Sequence, residues 1–365
     1  MANIRHVFPG GNTCHGFYSF YDHMVSPSVK RKYILKGGPG VGKSTLMKRL
    51  GEDCSEAGID VEYHWCSSDN NSLDGVVLGA GEYCVLDGTA PHVVDPLYPG
   101  AVDEIINLGE YWNRPLIEQN RDNIVNLTAR VSRCFYRAYN RLKESRLAMD
   151  EWASYYDEVI NTEAVSRNVL ALAADFLAGA NSYSGPARHL FAAAITPLGL
   201  VNHADSLLAP DALVFAVKGS PGSGKSHLFS HILDLIKIRA IRAEVYHNAL
   251  DPADVDIIIL PDSKAVLIDF TSYPSNYEAA VSGLRIKRML DFDPLIPAEV
   301  LEENLPFIAA ARQRFDAGIN DAIANIKTAK DYHDELETYY TPAMDLESIE
   351  RFRSRLRDEL LELLK

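Results

Sequence analysis

Short apolar runs alternate with amphipathic stretches over the first hundred residues, and the same alternation returns after residue 187. In the first half it predicts an edge segment near His6–Phe8, a helix from about Gly16 to Met24, a strand over 33–36, a helix over 44–57, and strands over 59–66 and 83–87. In the second half it predicts a strand over 213–217, a helix over 225–239, and strands over 243–247 and 265–269. Short strands alternating with helices indicate an α/β fold, with a parallel sheet and helices on both faces. A different pattern follows each core. From Gln119 to Ala178 there is neither proline nor glycine, and Ile124, Leu127, Val131, Phe135, Ala138 and Leu142 recur at helical spacing. Two long helices in a hairpin fit this stretch, the second near Ala164–Leu177, and residues 299–365 look like its counterpart.

The halves repeat more than a pattern. Arg5 to Gly16 and Arg188 to Gly199 share Arg, His, Phe, Thr and Gly in register, and Tyr63-His64 faces Tyr246-His247. Asp69 faces Asp251, Asp74 faces Asp256, Val85-Leu86-Asp87 faces Leu267-Ile268-Asp269, and Asp150-Glu151 faces Asp334-Glu335. The chain reads as a tandem duplication. Unit 1 is 1–180, with an α/β core to about 110 and a helical hairpin over about 111–180. Unit 2 is 187–365, with its core over about 187–295 and its helical part over about 296–365. Asn181 to Pro186 is the expected linker.

Between strand and helix each unit carries a glycine-rich turn, GGPGVGKS from Gly37 to Ser44 and GSPGSGKS from Gly219 to Ser226. This spacing fits a phosphate-binding loop: glycines let successive N–H groups turn toward phosphate oxygens, and the following helix adds the positive end of its dipole. The expected nucleotide contacts are Gly37, Gly38, Gly40, Val41, Gly42, Lys43, Ser44 and Thr45 in the first loop. In the second they are Gly219, Gly222, Ser223, Gly224, Lys225, Ser226 and His227. Lys43 and Lys225 are expected to neutralise transferred phosphate charge, and the Ser44 and Ser226 hydroxyls to hold Mg²⁺. Asp87 and Asp269 each stand 43 residues after that serine, at the end of an apolar strand, and are the expected carboxylate partners of the metal. Turn capping is the plainer use of such an Asp.

No Glu follows either Asp; Gly88 and Phe270 stand there, so the commonest water-activating base is missing. Asp69 and Asp251 are the candidates to orient a water or accept a proton, with Asp74 and Asp256 behind them, all placed in the loop after the second strand. Turn-making is the bland alternative for them. His92, present in unit 1 alone, is a candidate to approach the γ-phosphate, with a solvated loop histidine as the plainer reading. Arg130, Arg133, Arg137 and Arg141 line one helix face, which reads first as a solvated surface; an Arg of one unit reaching the other unit's nucleotide is the alternative.

The formal net charge of −14 argues against general nucleic-acid binding. No apolar run approaches the ~20 residues that cross a bilayer, and MANIRHVFPGG lacks the features of a signal peptide. Five cysteines at spacings that match no zinc pattern read as reduced thiols in a cytoplasmic protein.

With GGNTCHGFYSFYD, GGPGVGKSTLMK, CSSDNNSLDGV and VLDGTAPHVVDP in place, the chain resembles the tandem P-loop ATPase-like, or nucleotide-kinase-like, proteins of Gram-positive bacteria. The resemblance covers nearly the whole chain and implies ATP and Mg²⁺ binding, without a particular substrate. Unit 2 departs from it at Asp269-Phe270-Thr271-Ser272-Tyr273-Pro274. The reading is a Mg²⁺-dependent, ATP-binding P-loop NTPase, a slow ATPase acting as a nucleotide-driven switch. The alternatives are a small-molecule or nucleotide kinase, and a non-hydrolysing binding module whose helical hairpins meet a protein partner.

Overall fold

The computed structural model describes residues 2–26, 28–90, 93–158, 160–180, 186–297 and 301–364. Strand β1 (Ile4–Val7) leads into a hairpin of β2 (Gly10–Thr13) and β3 (Gly16–Ser19). The helix expected over Gly16–Met24 is therefore absent. Gly16 turns the chain at φ +96°, Thr13 Oγ1 donates to Gly16 O at 2.8 Å, and the aromatic run that follows suits a strand; a 3-10 turn at Tyr21–His23 is all the helix there is.

Then come β4 (Arg31–Lys36), helix α1 (Lys43–Glu56), β5 (Val61–Trp65), β6 (Leu73–Leu78), β7 (Tyr83–Asp87) and β8 (Asp103–Asn107). The sheet order is β1-β5-β6-β7-β4-β8. Strand β4 is parallel to β7 and β8, and β1 to β5, but β6 is antiparallel to both of its neighbours. The sheet is thus mostly parallel rather than parallel throughout. Asp74 and Gly75 interrupt the apolar run of β6 and hide it from a reading by hydrophobicity, although every residue of the strand is buried. Asp74 accordingly lies inside a strand, not in the loop expected.

Helices α2 (Arg114–Glu118), α3 (Arg121–Asp157) and α4 (Thr162–Phe176) complete the first half. Asn113 and Asn161 cap α2 and α4 by accepting from Leu116 N and Ala164 N. The second half repeats the plan with β9 (Arg188–Phe191), β10 (Ala193–Thr196), β11 (Gly199–Asn202), β12 (Leu213–Lys218), α5 (Lys225–Ile238), β13 (Glu244–His247), β14 (Val255–Leu260), β15 (Ala265–Asp269) and β16 (Arg285–Asp291). Its sheet order, β16-β12-β15-β14-β13-β9, is the same, antiparallel strand included. Helices α6 (Leu305–Tyr340) and α7 (Leu346–Leu363) follow.

The helices are exchanged between the halves. At ~1.5 Å per residue the 37-residue α3 spans roughly 55 Å, and it runs antiparallel along α6. Tyr155 stacks near Phe307, Glu151 pairs with Arg314 at 2.6 Å, Ser145 Oγ donates to Phe315 O at 3.1 Å, and Arg130 lies over the Tyr332 ring. Helix α4 packs on the second sheet, burying Val165, Val169, Leu172 and Phe176 against Phe215, Leu228 and Ile232. Helix α7 packs on the first sheet, burying Ile349, Leu356 and Leu360 with Leu46, Leu50 and Val76. The expected hairpin within each half is replaced by these cross-half contacts: the amphipathic pattern identifies an apolar face but not its partner.

The two sheets meet at their edges, where Phe8 and Phe191 exchange backbone hydrogen bonds of 3.0 Å. Beside that bridge Arg5 pairs with Glu244 and Arg188 with Glu62. Register sets Arg5 opposite Glu62 and Arg188 opposite Glu244, so His64 matches Tyr246, and Tyr63-His64 is one residue out of step with Tyr246-His247. Among the described residues no helix is long and apolar enough to cross a membrane, and all five cysteines are buried and unpaired.

Candidate functional site

Each glycine-rich loop joins the strand next to one edge of its sheet, β4 or β12, to the helix that follows. Gly40 (φ +66°) and Gly42 (φ +89°) turn the first loop, and Gly222 (φ +81°) and Gly224 (φ +100°) the second. These are left-handed conformations that a side chain resists, so glycine at these places is a backbone requirement. Lys43 and Lys225 open α1 and α5. The positive end of each helix dipole therefore faces the loop.

Lys43 Nζ donates to Gly37 O at 3.1 Å and Gly38 O at 2.8 Å, and lies 3.5 Å from Asp87 Oδ2. Lys225 Nζ lies 2.8 Å from Asp269 Oδ2 and donates to Thr271 Oγ1 at 2.9 Å. Strand pairing produces this meeting: Leu35 is opposite Asp87 and Val217 opposite Asp269, each two residues before its loop begins. Both Asp side chains also cap the following turn, accepting from Thr89 N at 2.8 Å and Thr271 N at 2.9 Å. Ser44 Oγ accepts from Leu73 N at 3.0 Å. Val41 and Ser223 are buried beneath the loops, while Thr45, Ser226 and His227 are exposed on the first helical turn. Lysine and strand-end carboxylate thus meet at both loops, with a serine next in sequence to each lysine.

A second carboxylate stands beside each of these. The β6–β7 register ends at Gly75 opposite Leu86, and one step further sets Asp74 opposite Asp87; Ile257 opposite Ile268 does the same for Asp256 and Asp269. Buried Asp256 accepts from Ser272 Oγ at 2.6 Å, Tyr277 OH at 2.9 Å and Asn248 Nδ2 at 3.1 Å. Burial raises its pKa to about 7, assisted by the charge of Asp269 and opposed by the three hydrogen bonds. Asp74 instead hydrogen-bonds Tyr21 and Cys66, and burial together with its charge pushes both of those groups well up.

Among the described residues no hydrogen bond or ion pair joins Asp69 or Asp251, the expected proton acceptors, to the loop lysines; both face the other half's long helix. Asp69 accepts from Asn71 N and Ser72 Oγ, both at 2.9 Å, and stands 3.4 Å from Lys330 of α6. Asp251 lies 3.0 Å from Arg146 of α3 and 3.2 Å from His15 Nε2. Arg146 and Lys330 are themselves repeat partners, each paired to the Asp four residues on, Asp150 and Asp334. Arg146 stands outside the stripe of Arg130, Arg133, Arg137 and Arg141 that the helical spacing picks out; its signal in the sequence is the charge kept four residues before the recurring Asp-Glu. His15, Cys14 and Asp251 bring their ligand atoms within 4.8 Å of one another, but Arg146 already neutralises the carboxylate.

The ends of the exchanged helices cover the loops. Tyr340 lies against Gly38, Thr341 Oγ1 donates to Gly40 O at 3.3 Å, Ala153 lies against Gly222, and Ile160 and Val165 lie against Gly224. Beside the second loop is a cavity of about 160 Å³ that brings Lys225, Ser226, Asp256 and Asp269 together with Arg146 of the other half. His92 and most of the expected linker fall outside the described residues. No known protein family, curated protein or solved structure matches the chain.

Proposed function

We propose that the protein is a Mg²⁺-dependent nucleoside triphosphatase with two composite sites, each built on one half and closed by the other. The observation that carries this is the pairing, twice, of the loop lysine with a strand-end aspartate at the mouth of a helix: Lys43 with Asp87 and Lys225 with Asp269. On this reading the amides of 38–44 and 220–226 cradle the phosphates of ATP, and Lys43 and Lys225 leave their present partners to meet β- and γ-phosphate oxygens. The donor set fits the metal: a serine hydroxyl and a carboxylate stand at each loop, hard oxygens suited to Mg²⁺, in Ser44 with Asp87 and Ser226 with Asp269. Mg²⁺ arriving with the nucleotide supplies charge neutralisation. Because Tyr340 and Ala153 press on the loops, nucleotide at one site shifts a helix rooted in the other half, which makes turnover a switch.

A kinase reading is favoured by one observation, the cavity beside Lys225 that contains the buried Asp256. Phosphate release from MgATP separates the readings: the ATPase releases phosphate without an added acceptor, whereas the kinase needs one. Turnover should fall by more than half in Lys43→Ala and again in Lys225→Ala, and vanish in the double variant. An undiminished rate in the double variant sinks the proposal.

A further inference from the structure

We infer that Arg146 is a trans-acting catalytic arginine of the second loop, carried there by the exchanged helix α3. This rests on the nucleotide reading above and adds to it the residue that links turnover in one half to the helix of the other. Three observations place it. Arg146 and Lys225 line the same cavity of about 160 Å³, together with Ser226 and Asp269. Arg146 is part-buried, with 29 % of its side chain exposed, and its guanidinium is held by carboxylates on two elements: Asp150 on α3 at 2.9 Å, and Asp251 and Asp254 on the loop before β14 at 3.0 and 2.7 Å. The repeat keeps a cation at the equivalent place: Lys330 of α6 stands against Asp69 in the turn between β5 and β6.

A guanidinium has five donors and stays charged, so it can exchange one carboxylate for a phosphate oxygen while keeping another. In the step it serves, water oxygen bonds to the γ-phosphorus and the bond to the β,γ-bridging oxygen breaks. The electron pair stays on that oxygen, which becomes the terminal oxygen of ADP, and the water proton leaves to solvent. Arg146 would hydrogen-bond the γ-oxygens as their charge is redistributed, the contribution that elsewhere is worth about 10³–10⁵ in rate.

The test uses the full chain with Lys43→Ala, so that only the second loop reports. Four quantities are measured: MgATP affinity, phosphate release, melting temperature, and affinity for ADP with aluminium fluoride, a probe shaped like the transferring phosphoryl group. Arg146→Ala should leave MgATP affinity within about threefold, lower the rate at least a hundredfold, and weaken the fluoride complex at least tenfold. Arg146→Lys keeps a charge in the cluster, guards against misfolding, and should recover part of the rate. Asp150→Asn removes one structural partner of Arg146 and should leave the fluoride complex within threefold. The inference is overturned if Arg146→Ala leaves rate and fluoride affinity within threefold, or if it lowers MgATP and fluoride affinity by the same factor. A parent that binds MgATP but neither turns it over nor traps the fluoride complex overturns it as well. A parent that binds no MgATP at its second loop fails the nucleotide reading itself, and this inference with it.

Discussion

The carbonyl oxygen of Ala153, near the end of α3, stands 2.1 Å from the place a Cβ on Gly222 would occupy. The second loop is therefore shaped around backbone from the other half, and Gly222 serves both a left-handed turn (φ +81°) and a close approach. Gly222→Ala should lower the melting temperature well beyond Gly58→Ala, which has a similar φ of +83° and open space around it. The left-handed strain common to both is about 1–2 kcal/mol, and the excess measures the pressure of α3. Equal shifts would mean that the helix end yields freely.

Gly38→Ala should be the milder change. A Cβ there would meet the Tyr340 ring at 2.8 Å, and a side chain can turn away where a backbone carbonyl cannot. The readout is the same thermal melt.

Removing α7 by ending the chain at residue 345 should expose the first half, not the second. Its Ile349, Leu356 and Leu360 belong to the core of Leu46, Leu50 and Val76. Hydrogen exchange should therefore quicken in α1 and β5 before α5 and β13. Quickening confined to the second half would contradict the exchange of helices.

Glu62 accepts from Arg188 and neighbours Arg5 and His64 at the seam, with 9 % of its side chain exposed. The arginines hold its carboxyl well below the usual range against the opposing effect of burial. Glu62→Gln leaves those arginines under-compensated, which costs about 3–5 kcal/mol when a buried ion pair is broken. Denaturant unfolding would register it as a lower midpoint.

The seam also predicts acid lability. Burial, with help from neighbouring imidazoles, lowers His189, His203 and His247 to about 4. His189 Nδ1 and His247 Nε2 are 2.8 Å apart, and Phe20 stacks on His247. With an unfolded value near 6.5, the unfolded chain binds more protons between pH 4 and 6.5, so this contribution to stability is lost as pH falls through that window. His189→Gln should flatten the fall; a slope unchanged from the wild type would remove His189 from this account.

Much of the site was legible because its signals are local. The loop spacing places Lys43 and Ser44 on a helix N-terminus whatever the rest of the chain does, and an apolar strand ending in Asp87 meets the loop through simple strand pairing. Asp74 reads as a loop residue in the sequence because Asp74-Gly75 breaks the hydrophobic run of a strand buried on both faces. The repeat slipped by one residue at Tyr63-His64, where both halves carry a bulge one position on, between His64 and Trp65 and between Tyr246 and His247. The exchange of α4 and α7 had no local signal at all: periodicity reports that Val165, Val169 and Leu172 form an apolar face, and only the tertiary fold decides which sheet receives it.

The most direct test of two composite nucleotide sites is a calorimetric titration of the full chain with MgATP, alongside Lys43→Ala, Lys225→Ala and the double variant. The account predicts two molecules bound per chain, one in each single variant and none in the double variant. A wild type that binds no MgATP, or a double variant that binds as the wild type does, would contradict it.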